Sequence, residues 1–402
     1  MHLPIHQDIT LIYDRDMSGH HLDFLQFLVS YLENQSATTQ QRYVFVVNPE
    51  AKIRFTKYET LLRFHYMASA DIDGFENEKS VLKKRSTEIH YLKKLALSYA
   101  AKRVMLMHLD AFQYELGRSY WQQSSLKFSG ILFLPFRAEY ETGFGLSAWL
   151  KQEVKGIRKS LQTKWMLQNK NLSNIFILND VKGVKIYNNR YDNRFVFLPD
   201  PAPNFNIDKP TQSIEQTKIQ YGIAPDRKVL LVFGNISDRK NLPNIIAAIG
   251  LLTAAEQQQV TLLICGEPDP HYAQSLKVIV DEAIEQFGTG LIVARLQFIS
   301  PAESDCLFKM ADLILAPQIN FYNSSGAVAL AAKYNVPVIV SRPSLAGDIV
   351  IEHNLGWAIN PTQPNEIAKN ISLLLKNSQK INGTNYLKEF SSDVFCKKIL
   401  QL

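Results

Sequence analysis

Residues 320–341, NFYNSSGAVALAAKYNVPVIVS, decide the fold that this sequence predicts. The stretch opens with a polar turn, continues into a helix of small residues over 327–334, and ends in an apolar strand pattern. The first turn of such a helix leaves backbone N–H groups without intrahelical acceptors, and the helix dipole adds partial positive charge there. Ser324 or Ser325 can cap the helix, and Gly326 has no side chain to keep a phosphate from the backbone. The stretch therefore predicts an anion site, although a plain helix cap in an α/β unit would explain the same residues.

Strand and helix patterns alternate along the chain on both sides of this stretch. Apolar runs at 229–233, 260–265 and 313–316 each end in a polar loop that precedes a helical pattern. Such alternation predicts the α/β class, with parallel, doubly wound sheets covered by helices on both faces. Three prolines within residues 199–203 can continue neither a helix nor a central strand. We therefore expect two tandem Rossmann-like domains, 1–200 and 201–390, that face each other across a cleft.

The first half follows the same plan less regularly. A strand pattern at 9–13 runs into the loop DRDMSGHH, in which Gly19 lies where the chain would pass close to a ligand, and a helical pattern follows. Further strand patterns at 104–109 and 131–135 place His108 and Arg137 in the loops after them. Ligands bind at the carboxyl ends of parallel strands in open α/β sheets. His108 is thus a candidate polar contact and Arg137 a candidate anion contact.

Composition excludes several classes of protein. The 402 residues contain no apolar run long enough to cross a bilayer, and the first residues show no signal-peptide pattern. The three cysteines lack metal-ligand spacing, and no other metal cluster or dinucleotide fingerprint is visible. We expect a cytoplasmic protein without a bound metal or other cofactor and without a nucleic-acid partner.

Positive charge is concentrated in the first half of the chain. Residues 1–200 carry a net charge of +7, and residues 201–402 carry −1. Residues 51–103 predict one or two amphipathic helices whose lysines and arginines, clustered over 82–103, form a basic face. Clustered basic residues on such a helix can dock to anionic lipid or to an anionic acceptor. An ordinary solvated helix face accounts for the same pattern.

Two adjacent cations fall on the predicted ligand-binding edge of the second domain. The loops 234–240, 266–269 and 317–326 all follow strands, so they should lie at one edge of the sheet. Arg239 and Lys240 would face the helix start at Gly326 across this edge. Two cations and a helix N-terminus can bind a diphosphate and stabilise charge that grows on a departing phosphate. A solvated loop would explain the two cations alone.

Residues 229–375 resemble the donor-binding domain of retaining glycosyltransferases with the GT-B fold, close to family 4 (group 1). The segments with this likeness are VLLVFGNISDRKN, LLICGEPD, LQFISPAESDCLFKMADLILAP, SSGAVALAAKYNVPVIVS and GDIVIEHNLGWAINPTQPNEIAKNISLLL. The first half is similar in outline. The resemblance also implies that residues 391–402 form a terminal helix that returns to the first domain.

The resemblance implies roles for individual residues. Lys240 matches the lysine that contacts the donor diphosphate, and Arg239 would supply a second charge because Asn235 stands where the family usually has arginine. Tyr322 and Leu330 stand where the family has two glutamates that contact the donor sugar. The remaining expected contacts to the nucleotide, diphosphate or acceptor are Gly19, Gly234, Gly266, Glu267, Ile299, Ser300, Asn323, Ser324, Ser325, Gly326 and Arg137.

The function that follows is sugar transfer from a nucleoside diphosphate sugar, either a UDP-sugar or a GDP-sugar, to a glycan or lipid-linked acceptor held by the first domain. The resemblance implies a retaining, metal-independent reaction in which the departing phosphate deprotonates the acceptor. The basic first half suggests peripheral contact with an anionic membrane surface. A nucleotide-sugar-binding protein without transferase activity and a nucleotide-sugar epimerase of the same fold remain alternatives, because the paired glutamates are replaced.

Overall fold

A computed structural model describes residues 8–17, 21–118, 125–133, 135–137, 146–202, 212–321, 323–377 and 381–402; the side chains of 146–149 and 151–152 are not described. The chain divides into two compact units. The first is formed by described residues up to Asp200 together with Ser392–Leu402, and the second is Pro201–Ser391.

The first unit is built on a parallel sheet with the strand order β3-β2-β1-β4-β5-β6-β7 in the described residues. Its strands are β1 (Ile9–Asp14), β2 (Tyr43–Val47), β3 (Arg63–Tyr66), β4 (Ala101–Leu106), β5 (Lys127–Leu132), β6 (Leu172–Leu178) and β7 (Phe195–Leu198). Its helices are α1 (His21–Glu33), α2 (Ala37–Gln40), α3 (Lys52–Phe55), α4 (Ser69–Glu76), α5 (Val81–Ser98), α6 (Gln113–Leu116), α7 (Leu146–Leu167) and α8 (Val181–Arg190).

Both faces of this sheet are buried. Leu11 and Tyr13 of β1 belong to one apolar cluster, and Ile12 between them belongs to the cluster on the opposite face. Successive side chains of a strand point to opposite faces, so helices must cover both sides of such a strand.

The end of the chain belongs to the first unit. The terminal helix, residues Ser392–Leu400, buries Phe395 in the same cluster as Ile12, and the Phe395 ring centroid lies 4.9 Å from that of Phe24. The Tyr43 hydroxyl donates a hydrogen bond of 2.7 Å to the carbonyl of Leu400. The helix that the resemblance implies therefore packs on the first unit.

The second unit contains a parallel sheet with the order β10-β9-β8-β11-β12-β13. Its strands are β8 (Lys228–Phe233), β9 (Val260–Cys265), β10 (Ile292–Arg295), β11 (Leu313–Ala316), β12 (Val338–Ser341) and β13 (Gly356–Ile359). The helices of this unit and the terminal helix are α9 (Ile214–Gln220), α10 (Leu242–Gly250), α11 (Ala254–Gln259), α12 (Ala273–Phe287), α13 (Pro301–Met310), α14 (Gly326–Tyr334), α15 (Leu345–Glu352), α16 (Pro364–Lys376), α17 (Thr384–Glu389) and α18 (Ser392–Leu400). The two sheets confirm the predicted α/β class with tandem Rossmann-like, doubly wound units.

The structure corrects several local expectations in the first unit. Residues 51–103 contain the short strand β3 as well as helices, because the sequence RFHY pairs with β2 at the sheet edge. Strand β4 spans Ala101–Leu106 rather than 104–109, and β5 spans Lys127–Leu132 rather than 131–135. Both strands have polar residues near their start, so the apolar run in the sequence marks only the buried part of each strand and not its first residue.

Candidate functional site

The candidate site of the second unit lies where the order of its strands reverses. Strand β8 pairs with β9 on one side and with β11 on the other. The loops that leave β8 and β11 therefore run in opposite directions from neighbouring strand ends and leave a crevice between them. The predicted diphosphate residues belong to these two loops and to the loop after β9.

Backbone contacts hold the three loops together. The Ile236 N–H donates to the carbonyl of Glu267 at 2.8 Å, which joins the loop after β8 to the loop after β9. The Ile319 N–H donates to the carbonyl of Arg239 at 3.0 Å, which joins the loop after β8 to the loop after β11. The structure thus brings the three predicted loops to one edge of the sheet.

Two glycines allow the first two loops to approach closely. Gly234 and Gly266 have φ angles of +103° and +146°, which side chains disfavour. A Cβ atom on Gly266 would lie 1.8 Å from the carbonyl oxygen of Gly234. Neighbouring Asn235 is exposed, so it is accessible to a ligand at this turn.

Lys240 is buried at the end of a 3₁₀ turn, Asp238–Lys240, so it is not the side chain of a fully solvated loop. It is 9% exposed, and its Nζ donates a hydrogen bond of 2.5 Å to the carbonyl of Phe233. Burial, together with the nearby charge of Arg239, lowers the pKa of Lys240 to about 8. This hydrogen bond places the ammonium group at the end of β8, and Asn241, directly after the turn, adopts a left-handed conformation with φ +63°.

Arg239 points toward the loop after β11. Its guanidinium carbon lies 4.4 Å from the centroid of the Phe321 ring, which fixes the side chain by a cation–π contact. Within the described part of the chain, no carboxylate forms an ion pair with Arg239 or Lys240. The two positive charges are therefore not neutralised by described residues of the protein. The sequence analysis does not identify Phe321 as a site residue. An aromatic residue in the loop opposite an arginine would have indicated this cation–π contact.

The helix α14 begins beside this loop. Ser325 caps it, and its Oγ accepts a hydrogen bond of 3.3 Å from the Ala327 N–H. No described atom lies within 4 Å of the position that a Cβ on Gly326 would occupy. Relative to the described residues, open space thus lies next to the first turn. The Val328 N–H donates to the carbonyl of Ser325 at 2.9 Å, and the Gly326 N–H has no described backbone acceptor. Asn323 is exposed and Ser324 is half-buried.

The other nucleotide candidates occupy the neighbouring loops. Glu267 is exposed after Gly266, and Ile299 is buried. Ser300 caps α13, because its Oγ accepts a hydrogen bond of 3.2 Å from the Glu303 N–H. Its side chain is therefore already used within the protein, and its contribution to a ligand would be limited to the remaining hydroxyl hydrogen or the backbone.

Arg137 of the first unit is buried and forms an ion pair with Asp180. Asp180 also caps α8, where it accepts a hydrogen bond of 2.7 Å from the Gly183 N–H. An anionic ligand would have to compete with this carboxylate for Arg137. Gly19 and Tyr322 lie outside the described residues, whereas Leu330 is buried on α14.

A second polar region lies at the carboxyl ends of β1 and β4 in the first unit. Glu88 is buried there and accepts hydrogen bonds from the Tyr13 hydroxyl at 2.5 Å, from Arg15 at 2.9 Å and from Arg85 at 2.6 Å. Burial and the neighbouring charge of Glu88 raise the pKa of Tyr13 well above its usual value. Because Glu88 accepts three hydrogen bonds from the protein, we interpret this network as structural. It lines a cavity of about 220 Å³ that His108 also lines.

Helix α7 presents an apolar stripe to solvent. Residues 150, 154, 157, 161 and 165 recur at intervals of three and four, which places them on one helix face. These residues are Leu150, Val154, Ile157, Leu161 and Trp165, and they are between 41% and 64% exposed. Exposed basic residues lie along the same helix.

Helix α5 carries the basic face that the sequence predicts. Two of its cations, Lys84 and Arg85, form ion pairs with Glu76 and Glu88.

Part of the chain matches a known protein family, and the whole chain resembles solved structures. Residues 213–389 match the family model described as glycosyl transferases group 1. Solved structures with the same fold include sucrose-phosphate synthase from Thermosynechococcus elongatus, with 14% identity, a TM-score of 0.64 and coverage of 98% of this chain and 96% of that chain. HepE from Anabaena, solved in complex with UDP, has 15% identity and a TM-score of 0.64, with coverage of 98% and 97%. WaaG, a glycosyltransferase involved in lipopolysaccharide biosynthesis, has 14% identity and a TM-score of 0.61, with coverage of 98% and 98%.

The solved structures share the fold of the whole chain, and the family model matches part of it. The chain has the GT-B fold of two Rossmann-like units, and its second unit matches the group 1 model over most of its length. A sequence search of curated proteins returned no match. Among the described helices, none has the length and apolar character needed to cross a membrane.

Proposed function

We propose that this protein is a retaining glycosyltransferase that moves a sugar from a nucleoside diphosphate sugar to a glycan or lipid-linked acceptor. The observation that supports this most strongly is the pair Arg239 and Lys240, without a described carboxylate partner, beside open space at the start of α14. HepE, which shares the fold, was solved with UDP and with UDP-glucose. A UDP-sugar is therefore the first donor to test, and a GDP-sugar is the second.

The chemistry follows from where negative charge develops. When the bond between the sugar and the diphosphate breaks, charge grows on the departing diphosphate oxygen. Lys240, Arg239 and the first N–H groups of α14 would stabilise that charge without reorganising, so the donor diphosphate needs no metal ion. In the retaining reaction that we propose, a departing phosphate oxygen accepts the proton of the acceptor hydroxyl. Arg137 would add a further contact if a ligand displaced it from Asp180.

The remaining contacts follow from the loops. We assign the diphosphate to the loop glycine and the helix start, and the nucleotide to the loops after β9 and β10. These contacts are Gly234, Asn235, Gly266, Glu267, Ile299, Ser300, Asn323, Ser324, Ser325 and Gly326, with Gly19 added from the first domain. We propose that residues 1–200 hold the acceptor and that residues 201–390 hold the donor.

The donor sugar must be recognised differently from the family pattern. Leu330 is buried and apolar, so it cannot provide the hydroxyl contact that the family glutamate would make. This replacement favours one alternative, a protein that binds a nucleotide sugar without transferring it. An epimerase is the other alternative, and it would convert the donor without an acceptor.

One assay separates the three functions. The protein is incubated with a panel of UDP-sugars and GDP-sugars, with and without a cell extract as the acceptor source, and both nucleotide release and donor identity are measured. Acceptor-dependent release supports transfer, an altered donor without release supports epimerisation, and binding without either supports the inactive protein. The double variant Lys240→Gln and Arg239→Gln should lose nucleotide binding, whereas Lys277→Gln, an exposed lysine of the same unit, should not. Unchanged binding in the double variant would contradict the proposed site.

We further propose that the first unit contacts anionic membrane surfaces through α7, on the cytoplasmic side. The exposed stripe supplies apolar area, and the exposed Lys155 and Arg158 lie beside it. Amphipathic helices with basic polar faces bind in the plane of anionic bilayers. The paired state of Lys84 and Arg85 makes α5 a weaker candidate.

Vesicle sedimentation tests this contact. The protein should bind vesicles that contain phosphatidylglycerol, bind phosphatidylcholine vesicles less, and lose binding as salt increases, since a basic surface is screened by ions. The variant Ile157→Asn with Leu161→Asn should reduce binding, whereas Ile219→Asn, which changes an exposed residue of the second unit, should not. Equal binding to both vesicle types would argue against the proposal.

A further inference from the structure

Three potential metal ligands meet in the first unit, although the sequence predicts no metal cluster. Asp16 follows β1, His21 begins α1 and His108 follows β4. Each offers one ligand atom, and these atoms all lie within 4.8 Å of one another. The three residues converge because β1 and β4 are adjacent parallel strands, so the loops after them leave from the same edge of the sheet.

The orientation of His21 points independently to a ligand at its outer nitrogen. Its Nδ1 lies 2.7 Å from Oδ2 of Asp14, a buried carboxylate at the end of β1. A carboxylate that accepts from Nδ1–H fixes the ring and leaves the Nε2 lone pair for a metal, which is the usual arrangement around metal-bound histidines. Here Nε2 lies 3.7 Å from Oδ2 of Asp16. That separation is close to the roughly 3.4 Å between ligand atoms that share a tetrahedral cation with bonds of about 2.1 Å.

The surroundings favour a site with an open coordination position. The Phe133 ring packs against both imidazoles, with centroid distances of 5.7 Å to His21 and 5.5 Å to His108. Asp16 and His108 also line the cavity of about 220 Å³ described above. One side of the cluster is therefore apolar, and another side opens on a polar cavity.

We propose that Asp16, His21 and His108 bind a late first-row divalent cation, with Zn²⁺ as the best fit. Two imidazoles and one carboxylate suit Zn²⁺ or Co²⁺ better than Mg²⁺ or Ca²⁺, which prefer ligand sets made of oxygen. Three protein ligands leave a further position for water or for an oxygen-bearing ligand in the cavity. Asp14 acts as a positioning residue for His21. This site does not depend on the donor diphosphate site of the second unit.

A simple ion pair is the competing explanation. Protonated His21 would satisfy Asp14 and Asp16 without a metal, but that arrangement gives no role to the ring nitrogen of His108. The contribution of His108 to cation binding therefore distinguishes the two explanations.

Cobalt titration of the full chain tests the proposal. The protein is stripped with EDTA, dialysed and titrated with Co²⁺ near neutral pH, and visible d–d absorption is followed. We expect saturation at one equivalent, displacement by Zn²⁺, and loss of the signal in His21→Ala and in His108→Ala. The variant Asp14→Asn should keep the spectrum at saturation but bind roughly 10- to 100-fold more weakly, because it loses the orienting carboxylate.

Controls keep the result interpretable if a variant is destabilised. His90→Ala changes an exposed histidine of the same unit and should bind as the native protein does. Circular dichroism melting verifies that each variant is folded. Absence of the d–d signal in the native protein, or an unchanged signal in folded His108→Ala, would overturn the proposal. Because no nucleotide is added, the outcome is independent of the proposed transferase function.

Discussion

Raising the pH from about 7 to about 9 should weaken UDP binding by discharging Lys240. Burial and the neighbouring Arg239 lower the pKa of this lysine to about 8 in the protein without ligand. About nine-tenths of the lysine is then protonated near pH 7 and about one-tenth near pH 9. If only the protonated form binds the diphosphate well, affinity falls about tenfold, or about 1.4 kcal/mol, across this range. The diphosphate itself stays ionised, since the second pKa of a phosphate group is about 6.

Isothermal titration calorimetry at constant ionic strength measures this effect. The variant Lys240→Arg is the matched control, because arginine stays charged throughout the range and its pH profile should be flat. Binding should also raise the pKa of Lys240, so the native protein should take up a fraction of a proton near pH 8, visible as a dependence of the heat on the buffer. Native affinity that does not change between these pH values, or an equal decline in Lys240→Arg, would refute the role of Lys240.

Three other substitutions test the geometry of the site. Lys240→Met should increase the free energy of unfolding near neutral pH by about 2 kcal/mol. Keeping the buried native lysine protonated costs about 3 kcal/mol, because burial lowers its pKa from 10.5 to about 8. The variant also loses the hydrogen bond to Phe233, which contributes about 1 kcal/mol in the opposite direction. As the pH rises from about 8 to about 10.5, the native protein should also become more stable, because the unfolded state binds more protons than the native state in this range. The variant should not gain this stability. Urea unfolding at several pH values measures both, and an equal rise in the variant would contradict the prediction. Gly326→Leu should reduce UDP affinity at least about tenfold with little change in melting temperature, since the position is open, and a normal titration would count against the helix start as the phosphate seat. Gly266→Ala should destabilise the protein by about 3 kcal/mol, because its Cβ would lie 1.8 Å from a carbonyl oxygen at positive φ, and an unchanged melting curve would show that the loops separate easily.

Much of the fold follows from the sequence because buried parallel strands are nearly continuous apolar runs. Strands such as β8 and β9 are buried along most of their length, so their patterns are clear. The edge strand β3 is only half-buried, and its formation depends on pairing with β2, which local periodicity does not report. The starts of β4 and β5 do not follow from the apolar pattern either, since their first residues contact solvent.

The side-chain environment of the candidate site was less predictable. The order of strand and loop patterns predicts three loops at one edge of the sheet, but it does not report that Lys240 is buried and bonded to the Phe233 carbonyl. Arg137 pairs with Asp180, which is distant in sequence, so its partner could not be read from nearby residues. His21 and His108 lie close together because β1 and β4 are neighbouring strands. Histidines in the loops after two strands that are predicted to be neighbours would have indicated this cluster.

The most direct measurement is a crystal structure of the protein with UDP or UDP-glucose bound. We expect a diphosphate within hydrogen-bond distance of the Lys240 Nζ, the Arg239 guanidinium and the backbone N–H of Gly326. A nucleotide bound elsewhere, or a diphosphate that leaves Lys240 bonded only to the Phe233 carbonyl, would contradict this expectation.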